Sequence, residues 1–363
     1  MTAAPTTGDV PRRPAAVREG IRTLYPGYFA LVMATGIVSI AAALLDMPAV
    51  AWPLFVLNNV FYVALWALTV ARLVMYPAAL AADLTSHASG PAFLTVVAGT
   101  CVLGTQYELL AVSSAVALAL WWLGAVLWVV LIYTFFTSVT ILPVKPPLEE
   151  GLNGAWLLVV VSTQSVSVLG TLLAPRFGPH APAVLFGMLC LFLLGCMLYL
   201  LVIALIFYRF TFLTLKARDL SPPYWINMGA VAITTLAGVR LLLRVGDWSL
   251  LADLRPFLIG FTLFFWATAT WWIPLLLILG EWRHVAKRFP LTYHPAYWAM
   301  VFPLGMYTVA TVLLARALDL PFLLVVPRVF VHVALVAWAG VFVGMTTQVG
   351  RGLFAPAAPP AAK

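Results

Sequence analysis

The chain has 363 residues; 64% are hydrophobic, only 9% are charged, and the net charge is +8. An ordinary soluble domain carries about 25% charged residues, so no water-soluble core could hide this much apolar surface and the solvent must be a bilayer. In that setting the excess basic charge marks a cytoplasmic membrane face, not a nucleic-acid partner.

Residues 1–22 read as a flexible basic cytoplasmic tail, with Arg12, Arg13, Arg18 and Arg22 among Ala, Pro and Thr. A cleavable signal is not expected, because the first apolar run starts late and is long enough to span. Apolar runs follow at 26–45, 52–75, 91–111, 113–136, 153–173, 183–208, 222–243, 256–280, 295–317 and 322–349. Each reaches the ~20 residues that cross ~30 Å of hydrocarbon. Residues 351–363 form a second cytoplasmic tail, so 23–350 is one ten-span domain and the expected fold is an all-α integral membrane protein. With ten spans both termini share a side. That side collects fourteen of the Lys and Arg residues and leaves six for the other side and the membrane, Arg176, Arg240, Arg244, Arg255, Arg316 and Arg328. The positive-inside bias then puts both termini in the cytoplasm of a cell with this protein in its inner (plasma) membrane.

One phrase opens the first, third, fifth, seventh and ninth spans. Pro26-Gly-Tyr-Phe-Ala-Leu-Val-Met-Ala-Thr-Gly36 and Pro295-Ala-Tyr-Trp-Ala-Met-Val-Phe-Pro-Leu-Gly305 share the proline, tyrosine, alanine, valine and closing glycine. Weaker copies start at Pro91, Asn153 and Pro222. A repeat of roughly 65 residues holds two spans and their loops, so the chain reads as five copies of a helical hairpin. Mid-depth polar groups gather on the odd spans: Thr35, Thr100, Thr105, Ser162, Thr163, Ser165, Thr234 and Thr311 among them. Even spans are mostly Leu, Val, Phe and Trp. Odd helices are therefore expected as an inner ring in quasi-fivefold arrangement around a central pore, with even helices outside facing lipid. Thr35, Gly36, Thr100, Ser162, Thr163, Thr234 and Gly305 are the candidates for its lining.

Seven residues after each repeat start lie Met33, Ala98, Val160, Gly229 and Phe302. Four are small or flexible, and the fifth is a phenylalanine followed by Pro303, which permits a kink. Five residues at one depth make a constriction, and an apolar constriction blocks hydrated ions by dewetting. Phe302, facing Met33, either plugs the path or is a core aromatic of a packed bundle. Arg240 and Arg244 either snorkel to the interface or give the outer mouth a field that attracts anions. Glu108 and His332 are the ionisable groups available to a proton relay. Cys101, Cys190 and Cys196 have no metal or redox spacing and read as apolar fillers. No phosphate loop, zinc motif or nucleophile elbow is present, so neither a metal, a cofactor nor an enzyme is expected.

The stretches Tyr25–Ser39 and Tyr297–Gly305 resemble the tellurite-resistance/dicarboxylate transporter family, which includes the yeast malate permease, fungal sulfite pumps and the slow anion channels of plant guard cells. The resemblance implies ten helices in five hairpins around a pore. It also implies a homotrimer with one pore per subunit and a ninth-span phenylalanine, matched by Phe302, that occludes it. The expected function is transport of small anions, C4-dicarboxylates such as malate first, with a tellurite-resistance phenotype. A weakly selective inorganic anion channel, a sulfite exporter and an intramembrane enzyme are the alternatives.

Overall fold

The computed structural model describes residues 13–354. It is helical, with no strand among the described residues. In chain order the helices are α1 (Arg13–Arg22), α2 (Ala30–Leu44), α3 (Pro48–Met75), α4 (Pro77–Leu84), α5 (Thr95–Leu109), α6 (Ser114–Ile141), α7 (Leu148–Gly151) and α8 (Leu158–Leu173). They continue with α9 (Ala181–Phe212), α10 (Ile226–Leu242), α11 (Ser249–Asp253), α12 (Arg255–Glu281), α13 (Trp298–Ala317) and α14 (Val325–Phe354). Nine helical stretches among the described residues are long and apolar enough to cross a membrane. The longest, 154–212, contains both α8 and α9. Gly178 interrupts it with φ +52°, a left-handed conformation that glycine adopts without a steric penalty, and α9 folds back along α8.

The repeated phrase is a piece of local structure. A 3₁₀ turn precedes each of α2, α5, α8, α10 and α13, at Pro26–Phe29, Gly90–Leu94, Gly154–Leu157, Pro222–Trp225 and Pro295–Tyr297. Proline sits in the first two positions of four of these turns, where its missing N–H costs nothing. The third turn starts on Gly154 instead, and Asn153 caps it by accepting from the Ala155 N–H at 2.9 Å. Gly154 is there because the chain has no room for more: an added Cβ would collide with the backbone of Pro223 and Tyr224. The third repeat therefore begins one residue later than the phrase alone indicates.

These five helices form a closed ring. α2 packs on α5, α5 on α8, α8 on α10, α10 on α13, and α13 back on α2. Outside them lie α3 on α2, α6 on α5, α9 on α8, α12 on α10 and α14 on α13. In the most apolar window of the stretches carrying α2, α5, α10 and α13, 83% to 94% of residues are buried, against 17% to 22% for those carrying α3, α6, α12 and α14. The exposed side chains of the outer set are Val, Leu, Phe and Trp, such as Val63, Trp122, Leu201 and Trp271, the composition of a lipid-facing surface.

Where lipid tails are as apolar as leucine, helices are held by close packing and hydrogen bonds more than by hydrophobic burial. The bonds follow the repeat. Tyr62 of α3 meets the Thr100 hydroxyl at 3.0 Å, and the indole N–H of Trp128 on α6 donates to Thr163 at 2.8 Å. Trp338 on α14 donates to Thr35 at 3.0 Å. Thr35, Thr100 and Thr163 stand nine residues after Pro26, Pro91 and Gly154, the equivalent positions of their turns. The last helix thus makes to the first ring helix the bond that α3 makes to α5, and the ring is sealed across the two ends of the chain.

One expectation about the tails needs correction. Residues 13–22 of the supposed flexible tail form α1, which packs on α3. Its last turn is held by Arg72, buried in α3, whose guanidinium donates to the Arg22 and Leu24 carbonyls and pairs with Asp83 at 2.5 Å. Residues 1–12 and 355–363 lie outside the described residues; of the expected C-terminal tail, 351–354 continue α14.

Candidate functional site

Two cavities are each lined by all five repeats. One, of about 470 Å³, opens among the 3₁₀ turns, with Tyr25, Ala92, Ala155, Pro223 and Ala296 each contributed by a different repeat. The other, a narrow space of about 20 Å³ with room for about one water-sized group, lies further along the ring helices. Its lining comes from Ile37 and Ile40 on α2, Cys101, Val102, Thr105 and Leu109 on α5, and Ser165 and Val168 on α8. Ile233, Leu236 and Arg240 on α10 and Met306 and Val309 on α13 complete it.

That lining fixes which face of each ring helix looks inward. Side chains four and seven residues apart share a helix face. Stepping back by four and seven from the lining residues leads to one position per helix: Met33, Ala98, Val161, Gly229 and Phe302. All five are at most 1% exposed or, for glycine, buried, and none borders either cavity. They form the layer between the cavities. The two linings stand nine to twelve positions apart along each repeat, so the barrier is ~14–18 Å thick at 1.5 Å per residue. Phe302 is its largest side chain. Gly229 allows Pro303 close, since an added Cβ there would stand 2.7 Å from the proline Cγ.

The same face corrects several sequence-based assignments. Val160 is replaced in the layer by Val161, as the start at Gly154 requires; counting from Val160 leads to Gln164 and Ser167, which donate to the Phe192 and Met188 carbonyls of α9. Thr35, Thr100 and Thr163 lie two residues past the layer, about 200° around the helix, and their hydroxyls meet the outer helices instead of the axis. Thr234, like Thr35 and Thr100 off the lining positions, donates to its own helix at Ala230 O. Gly36 sits against Val102 and the Asn58–Gln106 amide pair, and Gly305 against Ile37 and Val38, so both serve contacts between neighbouring helices. Ser162 borders neither cavity and bonds the Val159 carbonyl. Composition named Thr105 and Ser165 as polar groups of the odd spans but not as lining; counting in fours and sevens from the layer would have found them.

Charged groups divide by location. Glu108 pairs with Arg176 at 2.8 Å and is not part of the inner cavity's lining. His332 is exposed and borders a groove with Leu44, Asp46 and Arg328 on the outside of the ring. The structure does not bring these two together, nor either to the axis. Arg244 donates to the Leu172 carbonyl and stands 3.4 Å from Asp247, and Arg316 donates to the Leu44 carbonyl. Both therefore cap the final carbonyls of neighbouring ring helices, where cations are favoured. Arg240 alone projects into the inner cavity.

At the other end the wide vestibule is ringed by helix starts. His294 caps the 3₁₀ turn before α13, its Nδ1 accepting from the Ala296 N–H at 3.1 Å, and stacks edge-on against Tyr25 at 5.4 Å. Burial keeps His294 below the ordinary histidine pKa and pushes the Tyr25 phenol up to about 12, so both are neutral near pH 7.

Residues 23–346 match the voltage-dependent anion channel (SLAC1) family. The chain belongs to that family. The likeness read from Tyr25–Ser39 and Tyr297–Gly305 therefore holds over the whole membrane region. An uncharacterized membrane protein of Mycobacterium tuberculosis is 38% identical over 148 residues, 41% of this chain and 75% of that one. An uncharacterized transporter of Methanocaldococcus jannaschii is 25% identical over 306 residues, covering 80% and 84% of the two chains. A sulfite efflux pump of Trichophyton rubrum is 24% identical over 344 residues, covering 89% and 90%. As a SLAC1-family member the protein is a multi-pass membrane protein.

Proposed function

We propose that the protein passes small anions along the axis of the inner ring, and that Phe302, packed in one layer with Met33, Ala98, Val161 and Gly229, closes the path. The observation that carries this reading is the pair of cavities, each lined by all five repeats and divided by a buried layer whose one aromatic side chain is Phe302. The architecture in this reading is ten spans in five quasi-equivalent hairpins, with both termini and the vestibule on the cytoplasmic side.

Anion preference has a physical source in the same arrangement. Each ring helix begins at the vestibule, so five helix N-termini, each worth about half a positive charge, surround its floor. Lys and Arg of the adjoining loops add to that potential and raise the local anion concentration. Walls that offer apolar contact and few free donors hold an ion weakly, as conduction requires.

C4-dicarboxylates such as malate remain the first substrates to test, with tellurite resistance as the associated phenotype. Sulfite is the second, supported by the name of the fungal relative. The ion pair of Glu108 and the peripheral place of His332 favour conduction without proton coupling. Reconstituted flux of labelled malate, chloride and sulfite, with and without a pH gradient, tests both points. Flux of at least one anion that ignores the gradient is the expected result. Saturable malate uptake driven only by external acid would reject the channel form, and no anion flux at all would reject the function.

A further inference from the structure

We propose that Arg240 is an anion-coordinating residue, and that the inner cavity around it holds one small, singly charged anion on the far side of the Phe302 layer. This rests on reading the ring axis as the anion path, and it adds a binding site to that path.

Arg240 is 8% exposed and lines the inner cavity eleven residues beyond Gly229, on the inward face of α10. Its Nε has no hydrogen-bond partner, and it takes part in none of the ion pairs among the described residues. Three arginines at or past the ends of ring helices are committed elsewhere: Arg176 to Glu108, Arg244 to Leu172 O and Asp247, Arg316 to Leu44 O. Arg244 adds charge of the same sign four residues on. A cation buried without a counter-ion is costly, and a chain that keeps one at the end of a cavity has a use for it.

The walls narrow the class of ligand. Ile233, Leu236, Val168 and Val309 are apolar, and the hydroxyls of Thr105 and Ser165 donate to their own helices at Cys101 O and Val161 O. The cavity therefore supplies one positive charge, presented as a planar fork of N–H donors, and little else. One charge offsets one charge. A dianion would bring a second negative charge into apolar walls unpaired, whereas nitrate, hydrogensulfite or a singly ionised carboxylic acid matches both the charge and the fork. A dicarboxylate would enter this site in its half-protonated form.

The test needs no transport. The melting temperature of the purified full-length protein is measured against nitrate and, at equal ionic strength, sulfate. Nitrate is expected to raise it saturably and sulfate not. Arg240→Gln is expected to weaken the half-saturating nitrate concentration by about tenfold or more, the loss of a charged hydrogen-bond partner. In anion-free buffer the same variant is expected to melt no lower than the parent, because it removes an uncompensated charge. Arg240→Lys keeps the charge and loses the fork, and is expected to shift the nitrate response by less. An unchanged nitrate response in Arg240→Gln, or in Arg240→Lys should the former fail to fold, overturns the site. An equal response to sulfate overturns its restriction to single charge. Nitrate binding through Arg240 in a protein that passes no anion in liposomes would keep the site and reject the path.

Discussion

The two ends of the inner ring solve opposite problems. At the vestibule end five 3₁₀ turns pack side by side, the third and fourth main chain against main chain, two of them capped by the side chains Asn153 and His294, around a wide, partly polar space. At the far end the helices finish against arginines that cap their neighbours' carbonyls, around a narrow apolar cavity holding one uncommitted guanidinium. The near end is rigid backbone that presents helix dipoles to water. The far end is built from single side chains around a narrow, mostly apolar space. The difference teaches that in this fold the repeat builds one end five times over, while the other end holds a residue, Arg240, where the other four repeats have Leu44, Leu109, Leu172 and Leu313.

That contrast can be broken at the entrance first. Gly154→Ala should cost more than about 3 kcal/mol, because the added methyl meets the backbone of Pro223 and Tyr224 and neither can turn away. Loss of a monodisperse protein, or a large fall in melting temperature, is the expected outcome; near-parental stability would show that the turns do not touch. Gly229→Ala, where the layer meets Pro303, should cost about 1–3 kcal/mol, since a proline ring 2.7 Å away yields only if α13 shifts. The same shift should loosen the layer, and a rise in anion leak with the fall in stability would link packing to closure.

Sealing of the ring is a smaller effect. Thr35→Val leaves the Trp338 N–H without its acceptor and should destabilise by about 1 kcal/mol. Thr100→Val and Thr163→Val should behave alike if the three positions are equivalent, and melting curves of the three variants would show whether they are. The smallest expected effect is the pH dependence at the entrance. Burial holds His294 below its ordinary pKa, so the folded protein binds that proton less readily than the unfolded chain. The stability it contributes is present above about pH 6.5 and is lost as pH falls from there toward the folded pKa. His294→Asn keeps the cap, as Asn153 does in the third repeat, and should flatten the decline in melting temperature between about pH 7 and 5.

Much of this architecture was legible in the sequence, for a physical reason. A bilayer demands long apolar runs, so every ring and outer helix begins within a few residues of its expected place, and proline at a helix start is visible in any chain. Direction was harder to read. The ring helices are buried on all sides, so their hydrophobicity has no preferred face to betray the axis, and Thr35, Thr100 and Thr163 looked like lining when they are fasteners to the outer helices. A hydroxyl bonded to a tryptophan across a helix pair has the same sequence signature as one facing a path. The register of the third repeat was hidden as well, because Gly154 stands where the other turns have proline. The repeated phrase and the cavity lining lead to the position of Phe302 by different routes, which is why the proposed closure is placed there.

The most direct test of the account is the anion flux of Phe302→Ala in liposomes, beside the parent protein at equal incorporation. Closure by this side chain predicts a rise of about tenfold or more, the effect of lowering the barrier by about 1.4 kcal/mol, with potassium flux unchanged. A folded Phe302→Ala variant whose anion flux equals that of the parent would contradict the account.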